Sequence, residues 1–320
     1  QYFQKTNLIH LIKKYGNFLP YPVLFSEKDS KPKRLNKSEF PWEKQRASKP
    51  ELISFGESFF DIKVIDCIPL YADASNSAGY AFIGMASNSL SVQNHSVYLN
   101  RMFLSDKVDN LLPEWVFFAK CVINSTGLRP TASREAFFED EVLIKTKGQL
   151  GACIINYLHS LKTTDPVLLN KIISRHETAI KLAATSSDEF FDNIYDLIPF
   201  ETNYGNKTFK DIAGTGREIR YVPDIDEFKK ISGIAFNQSI EVVNAGYVYE
   251  PALFEKLIDK FPDLNFRRFS AEDLIWELKE LDLKERDEVF DFLAQADNIL
   301  KEFGCTSEVR KFDPDNLSGI

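Results

Sequence analysis

The sequence predicts a mixed α/β protein of the α+β class, arranged as a large α/β sandwich, a helical connector and a small α/β sandwich. Three patterns lead to this prediction. Residues 60–123 contain apolar runs of strand length that are separated by turn formers. Residues 143–184 repeat apolar side chains at helical spacing, and residues 218–269 alternate between short strand-like and helix-like runs.

The first 140 residues are predicted to form the large α/β part. An aromatic, proline-bearing segment at 18–25 has the composition of an edge strand. We expect four strands to follow it, at residues 60–70, 79–85, 97–104 and 116–123. Because these strands precede a long helix instead of alternating with helices, the pattern favours a sheet covered by helices.

Residues 141–200 are predicted to form a helical connector. Its first helix presents one face whose positions step by three or four residues: Leu143, Lys147, Leu150, Ile154, Leu158 and Leu161. A second helix is expected at 166–184 and a short third helix at 189–195. Only the lysine interrupts this apolar face.

Residues 201–276 are predicted to form a small α/β sandwich with parallel strands. Strands are expected at 218–222, 240–243 and 264–269, with helices between them. No glycine-rich phosphate motif follows these strands, which argues against a nucleotide site there. Residues 277–320 are predicted to be a linker and the truncated start of a C-terminal domain, whose first strand would be 308–312.

Composition and charge exclude several classes of function. The chain carries 39 basic and 47 acidic residues, a net charge of −8, so a broad nucleic-acid surface is not expected. The stretch 28–49 runs against this balance, with eight basic and three acidic residues. A solvated loop explains it most simply, and an anion-binding site is the alternative.

The cysteines and histidines predict neither a disulfide scaffold nor a metal site. Four cysteines and four histidines are scattered without ligand spacing, so we expect reduced thiols, no bound metal and a cytoplasmic location. No apolar run reaches the length of a membrane span.

The loop before the long helix carries the clearest chemical pattern. Ser133 is placed as the N-cap of that helix, and Glu135 would complement the positive helix end. Arg134 opposes the helix dipole, unless its guanidinium shares an anion with free backbone N–H groups. From spacing alone, an anion site and an ion pair with a nearby carboxylate both remain open.

A longer motif surrounds this loop and resembles a known family. The runs 97–106, 110–115 and 128–135, with 35–37 and 41–42 further upstream, are similar in order and spacing to the middle domain of the ninety-kilodalton heat-shock chaperones, which include the bacterial high-temperature protein G. The resemblance covers about residues 9–275. It agrees with the predicted organisation and implies that the chain is a segment of a longer, dimeric, ATP-driven chaperone.

The resemblance implies a catalytic and cofactor-binding role for Arg134. In the family, the corresponding arginine reaches the terminal phosphate of ATP in the preceding domain, with Ser133 and Glu135 as its neighbours here. ATP and magnesium would be held mainly by that domain, so we expect little ATP binding by this chain alone. The family commonly has glutamine four residues after the arginine, whereas this chain has Phe138. The hydrolytic step is therefore expected to be slower or differently tuned, unless this branch does without the glutamine.

The resemblance also implies contact with unfolded client proteins. Trp115 and Trp42 are candidate contact residues, although packing in the core is the simpler explanation for Trp115. Two other functions remain open. The chain could be the transducer domain of a related ATP-driven DNA-processing protein, which the stretch 28–49 would suit, or a scaffold whose ATPase has decayed, which Phe138 would suit.

Overall fold

The computed structural model describes residues 4–26, 31–44, 47–85, 95–214, 216 and 218–311. Their helices and mixed sheets confirm the mixed α/β fold class. The chain divides into two compact units, Gln1–Ile180 and Lys181–Ile320, and the boundary falls inside a helix. The finer boundaries at 140, 200 and 276 stay predictions.

The first unit combines a five-stranded sheet with helices and a two-stranded ribbon. Its elements in chain order are α1 (Lys5–Tyr15), β1 (Leu24–Phe25), β2 (Lys33–Arg34), α2 (Lys49–Phe60), β3 (Val64–Ala72), β4 (Ser77–Gly84), β5 (Ser96–Leu99), β6 (Met102–Ser105), β7 (Ala119–Ser125), α3 (Glu141–Thr164) and α4 (Pro166–Ser186).

The five strands lie in the order β3-β4-β7-β5-β6, and all neighbours are antiparallel except β5 and β7. The single strand predicted at 97–104 is two strands joined by a tight hairpin turn. Asn100 and Arg101 form this turn with left-handed φ angles of 49° and 68°. Two left-handed residues give a turn whose twist matches that of the flanking strands.

Three other predicted elements have different bounds in the structure. The first strand begins at Val64 and not at residue 60, because helix α2 occupies residues 49–60. Ser48 and Glu51 form a capping box that starts this helix, and Asp61 ends it in a left-handed conformation. In the fourth strand, residues 116–118 form a 3-10 turn before β7. The aromatic segment 18–25 contains only the short strand β1.

Aromatic side chains fill the core between the sheet and the N-terminal segment. Phe18 and Phe40 are fully buried and stack with ring centroids 4.2 Å apart. Tyr98 of β5 meets both rings edge-on at 5.2 and 5.3 Å. Offset-stacked and edge-on pairs add to the stabilisation from burial. This aromatic cluster therefore holds Phe18 and Phe40 of the N-terminal segment against strand β5.

Helix α3 confirms the predicted apolar face with one exchange. Leu143, Leu150, Ile154, Leu158 and Leu161 are all buried. Lys147 is half-buried instead, and Thr146 occupies the fully buried position beside it. The Thr146 hydroxyl donates to the Val142 carbonyl at 2.7 Å and lies 2.8 Å from Ser75 Oγ, so the polar group is paired inside the core.

The second unit contains a smaller five-stranded sheet. Its elements in chain order are α5 (Asp188–Ile194), β8 (Pro199–Thr202), β9 (Gly205–Thr208), α6 (Phe209–Ala213), β10 (Ile219–Val222), α7 (Ile225–Asn237), β11 (Val243–Asn244), α8 (Glu250–Lys260), β12 (Phe266–Arg268), α9 (Ala271–Glu277) and α10 (Leu283–Leu300).

The parallel strands predicted for the small sandwich are present. The order is β12-β10-β11-β8-β9, and β10 lies parallel to both β11 and β12. The antiparallel hairpin β8–β9 was not predicted. Of the strand expected at 308–312, the described part forms an isolated bridge between Lys279 and Lys311, and Phe312 lies outside the described residues.

Within the described ranges, no helix is both long and apolar enough to cross a membrane.

A buried histidine in the first sheet makes the stability of the fold depend on pH. His95 is 2% exposed, and its Nδ1 accepts a hydrogen bond from the backbone N–H of Cys121 at 3.2 Å. Burial, helped by the nearby charge of Lys120, lowers the pKa of His95 from 6.5 to about 4. In the unfolded chain His95 is therefore protonated below about pH 6.5, whereas in the folded chain it is protonated only below about pH 4.

We predict that the free energy of unfolding falls as the pH is lowered from 6.5 to 4. The contribution of His95 over this window is on the order of 3 kcal/mol, because each pKa unit corresponds to about 1.4 kcal/mol. His95→Asn keeps an acceptor near the Nδ1 position and removes the titration, so its unfolding free energy should vary less with pH. Urea unfolding at several pH values measures these free energies. If the unfolding free energy changes with pH equally in both proteins, the prediction is wrong.

Candidate functional site: the Arg134 hairpin

The site predicted from the sequence is a short hairpin, here called the Arg134 hairpin (residues 129–138). The Phe138 N–H donates to the Arg129 carbonyl at 2.8 Å, and the Thr131 N–H donates to the Ala136 carbonyl at 2.9 Å. Residues 132–135 form its tip. Paired backbone on both sides restrains the tip far more than an open loop would.

The prediction that Ser133 caps the long helix is wrong. Helix α3 begins at Glu141, and its N-cap is Asp140, whose Oδ1 accepts from the Leu143 N–H at 2.9 Å. Asp140 directly precedes the helix and accepts from the N–H of its third residue, as N-cap side chains do. Glu135 therefore lies outside the helix and does not complement its dipole.

Ser133 instead supports the turn at the tip. Its hydroxyl lies 3.1 Å from the Thr131 hydroxyl, which also donates to the Ala136 carbonyl at 3.1 Å. Since Thr131 has a single hydroxyl proton, Ser133 is the donor in the pair. The Arg134 N–H closes the turn by donating to the Thr131 carbonyl at 3.0 Å.

Arg134 has an unusual backbone and an exposed side chain. Its φ of 58° lies in the left-handed region, which non-glycine residues seldom adopt. Within the part of the chain that the structure describes, its guanidinium has no hydrogen-bond or ion-pair partner, and the same holds for the exposed Glu135. An ion pair between Arg134 and a nearby carboxylate, one of the two open alternatives, does not form there.

Phe137 anchors the hairpin to the body of the first unit. Its side chain is 1% exposed. The Asn110 amide pairs with its backbone on both sides: Nδ2 donates to the carbonyl at 2.8 Å, and the Phe137 N–H donates to Oδ1 at 3.2 Å. The sequence does not single out Asn110 as a site residue. The only signal is that this polar residue precedes Leu111 and Leu112, which are both buried.

An ion pair closes the base of the hairpin. Arg129 Nη2 lies 2.8 Å from Asp140 Oδ2, and the guanidinium sits 5.4 Å from the centre of the Phe138 ring. The Arg129 hydrogen bond and the Leu143 N–H lower the pKa of Asp140 below its ordinary value. Asp140 therefore stays ionised near neutral pH and serves both the hairpin and helix α3.

The two candidate client-binding tryptophans are placed differently from each other. Trp115 is 8% exposed and packs beside Gly151 of helix α3, so a polar residue there would disturb the core. Trp42 is half-buried and stacks on Phe40 with ring centroids 4.8 Å apart. Part of the Trp42 side chain remains accessible. The client-binding role of both stays a prediction.

The upstream part of the motif holds the N-terminal segment in place. The buried Asn36 amide accepts from the Val23 N–H at 2.9 Å and donates to the carbonyls of Leu19 and Tyr21 at 3.0 and 2.8 Å. Arg101 donates to both Glu43 carboxylate oxygens at 2.7 and 2.9 Å. These residues therefore have a structural role, which differs from the role predicted for Arg134.

Metal ligands and the basic stretch add nothing to the site. Among the described residues, no group of three or more histidine, cysteine or acidic side chains could hold a metal ion. In the stretch 28–49, residues 31–34 are exposed, as a solvated segment would be. Lys49 pairs with the buried Asp66 at 2.6 Å. Lys28 and Arg46 lie outside the described residues.

Sequence comparisons point to one group of chaperones. A family model described as Hsp90 protein matches residues 82–214. The chain is 23% identical over 337 residues to the chaperone protein HtpG of Borrelia garinii subsp. bavariensis, covering 94% of this chain and 54% of that protein. HtpG of Rhodopseudomonas palustris is 24% identical over 241 residues, covering 71% and 37%. The chain thus spans about half the length, or less, of these curated relatives.

The fold agrees with these matches. A solved structure of the middle domain of a Plasmodium falciparum heat shock protein superposes with a TM-score of 0.55 at 13% identity, covering 71% of this chain and 98% of that domain. Sequence, span and fold therefore confirm the predicted resemblance: this chain is similar to the middle domain of the Hsp90 and HtpG chaperones.

Proposed function

We propose that this chain is the middle segment of an ATP-dependent chaperone and that Arg134 contacts the terminal phosphate of ATP held by a preceding domain. One observation carries the proposal. Of the two arginines in the hairpin, Arg129 is paired with Asp140, whereas Arg134 is exposed, has no partner among the described residues and stands on an anchored turn. Left-handed non-glycine residues carry strain that is often retained at functional sites.

The chemistry of the side chain suits this role. A guanidinium stays charged at every physiological pH and donates two parallel N–H groups to a phosphate. ATP, with magnesium bound, supplies the phosphoryl group that is transferred. The part of Arg134 is to neutralise charge on the terminal phosphate and to report its presence to the rest of the chain. Phe138 cannot donate a hydrogen bond, so Arg134 acts here without the amide common in the family.

The proposal includes partners as well as chemistry. The chain supplies one catalytic group, and the preceding ATP-binding domain supplies the pocket, so the ATPase is the full-length protein. We propose that the full-length protein is a homodimer in the cytoplasm and acts on unfolded or partly folded clients. The similarity to HtpG over most of this chain supports the chaperone assignment.

Replacing Arg134 separates its function from its contribution to stability. In the full-length protein, Arg134→Ala should lower the kcat for ATP hydrolysis by about 10²-fold or more. Arg134→Gly should lower it equally while leaving the melting temperature unchanged or higher, because glycine relieves about 1 kcal/mol of left-handed strain. ATPase assays and thermal unfolding measure the two effects.

The matched control for these variants is Arg175→Ala, which removes an exposed arginine of helix α4. It should leave both kcat and the melting temperature unchanged. If Arg134→Ala keeps the kcat of the unaltered protein, the proposed contact is wrong. If the unaltered protein itself hydrolyses no ATP, the scaffold with a decayed ATPase is the better description.

Client contact is the second part of the proposal, and Trp42 is the tryptophan that can report it. Its ring is half-buried on Phe40, at the surface of the first unit's core. In a Trp115→Phe, Trp276→Phe background, an unfolded client protein should shield Trp42 from acrylamide quenching. The folded form of the same client serves as the control. Equal quenching with and without the unfolded client would remove Trp42 from the client surface.

A further inference from the structure

The start of helix α3 and the base of the Arg134 hairpin meet at the carboxylate of Asp140. Its Oδ1 accepts from the Leu143 N–H at the start of helix α3, and its Oδ2 binds the Arg129 guanidinium at the base of the hairpin. Arg129 in turn covers the ring of Phe138 on the opposite strand of the hairpin. One ionised side chain thus joins both strands of the Arg134 hairpin to the helix.

Phe138 makes sense as a member of this cluster. Its neighbour Phe137 points into the core, whereas Phe138 points outward and is 57% exposed. Because the ring is largely exposed, it contributes little hydrophobic stabilisation. The ring does, however, give the planar Arg129 guanidinium a face to lie on while the same group bonds to Asp140.

We propose that Arg129 and Asp140 are positioning residues for Arg134. Their ion pair, backed by the Phe138 ring, holds the two strands of the hairpin at a fixed place relative to the start of helix α3. The inference rests on the proposed function of Arg134 and adds a residue pair through which that arginine is presented. Neither Arg129 nor Asp140 touches the phosphate in this arrangement.

The two roles of Asp140 can be separated by substitution. Asp140→Asn keeps the cap of helix α3, because asparagine caps helices about as well as aspartate, but it removes the charge that binds Arg129. Arg129→Gln removes the same ion pair from the other side and leaves the cap untouched. Arg286→Gln is the control, because it breaks another ion pair of an exposed arginine, with Glu280, in the second unit.

Hydrogen exchange tests the structural part of the proposal in the full-length protein. Arg129→Gln and Asp140→Asn should each speed exchange in a peptide covering residues 129–138 by about three- to fivefold, as expected for loss of a partly exposed, stacked ion pair. Exchange at the start of helix α3 should not change in Asp140→Asn. If the hairpin peptide exchanges as slowly in both variants as in the Arg286→Gln control, the positioning role is refuted.

ATP turnover tests whether the pair acts through Arg134. Arg129→Gln should lower kcat with little change in the KM for ATP, and adding it to Arg134→Ala should cause no further loss, because the residue it positions is already gone. An additive loss would mean that Arg129 acts independently, which overturns the proposal. If Arg134→Ala leaves kcat unchanged, the proposed function fails, whereas hydrogen exchange still decides whether the pair holds the hairpin.

Discussion

The burial of Phe137 is the constraint on which the presentation of Arg134 depends. With its side chain in the core and both backbone groups paired to the Asn110 amide, Phe137 cannot move without exposing an aromatic ring and breaking two hydrogen bonds. Such groups are costly to leave unpaired. Backbone hydrogen bonds hold the first strand of the hairpin to the strand that contains Phe137. Only the tip, residues 132–135, lies beyond these bonds. That tip places a cation in solvent on a left-handed turn.

The motif that carries the resemblance divides into scaffold and chemistry. Asn36, Glu43 and Arg101 fix the N-terminal segment, and Asn110 fixes the hairpin. Among the predicted site residues in the described ranges, Arg134 is the one that places an unpaired positive charge in solvent. The function proposed for Arg134 requires this division, because its side chain must reach the active site of another domain in a defined position.

Much of the fold could be predicted because periodicity reports which face of an element is buried. The apolar face of helix α3 and the parallel strands of the small sheet were found in this way. Local signals were missed where a stronger pattern lay beside them. The Ser48–Glu51 capping box marked helix α2, but the aromatic residues near position 60 suggested a strand. Ser133 and Asp140 are both residue types that cap helices, and the structure shows that Asp140 is the one that caps helix α3.

The candidate site was predictable only in part. Arg134 stood out from its residue type and its setting in the motif. Its exposure could not be derived, because it depends on Asn110, which lies 27 residues from Phe137 in the chain. The pairing of Arg129 with Asp140 likewise required the hairpin to be known. Contacts between side chains that are distant in the sequence do not show in its hydrophobic periodicity.

The most direct test of the central claim is an NMR measurement on the Arg134 guanidinium of the full-length protein. Its Nε–Hε signal, assigned by its loss in Arg134→Lys, would be followed with ADP and with a non-hydrolysable ATP analogue. The account predicts a shift and slower exchange with the analogue and no change with ADP, because only the analogue carries the terminal phosphate. Identical spectra with the two nucleotides would contradict the account.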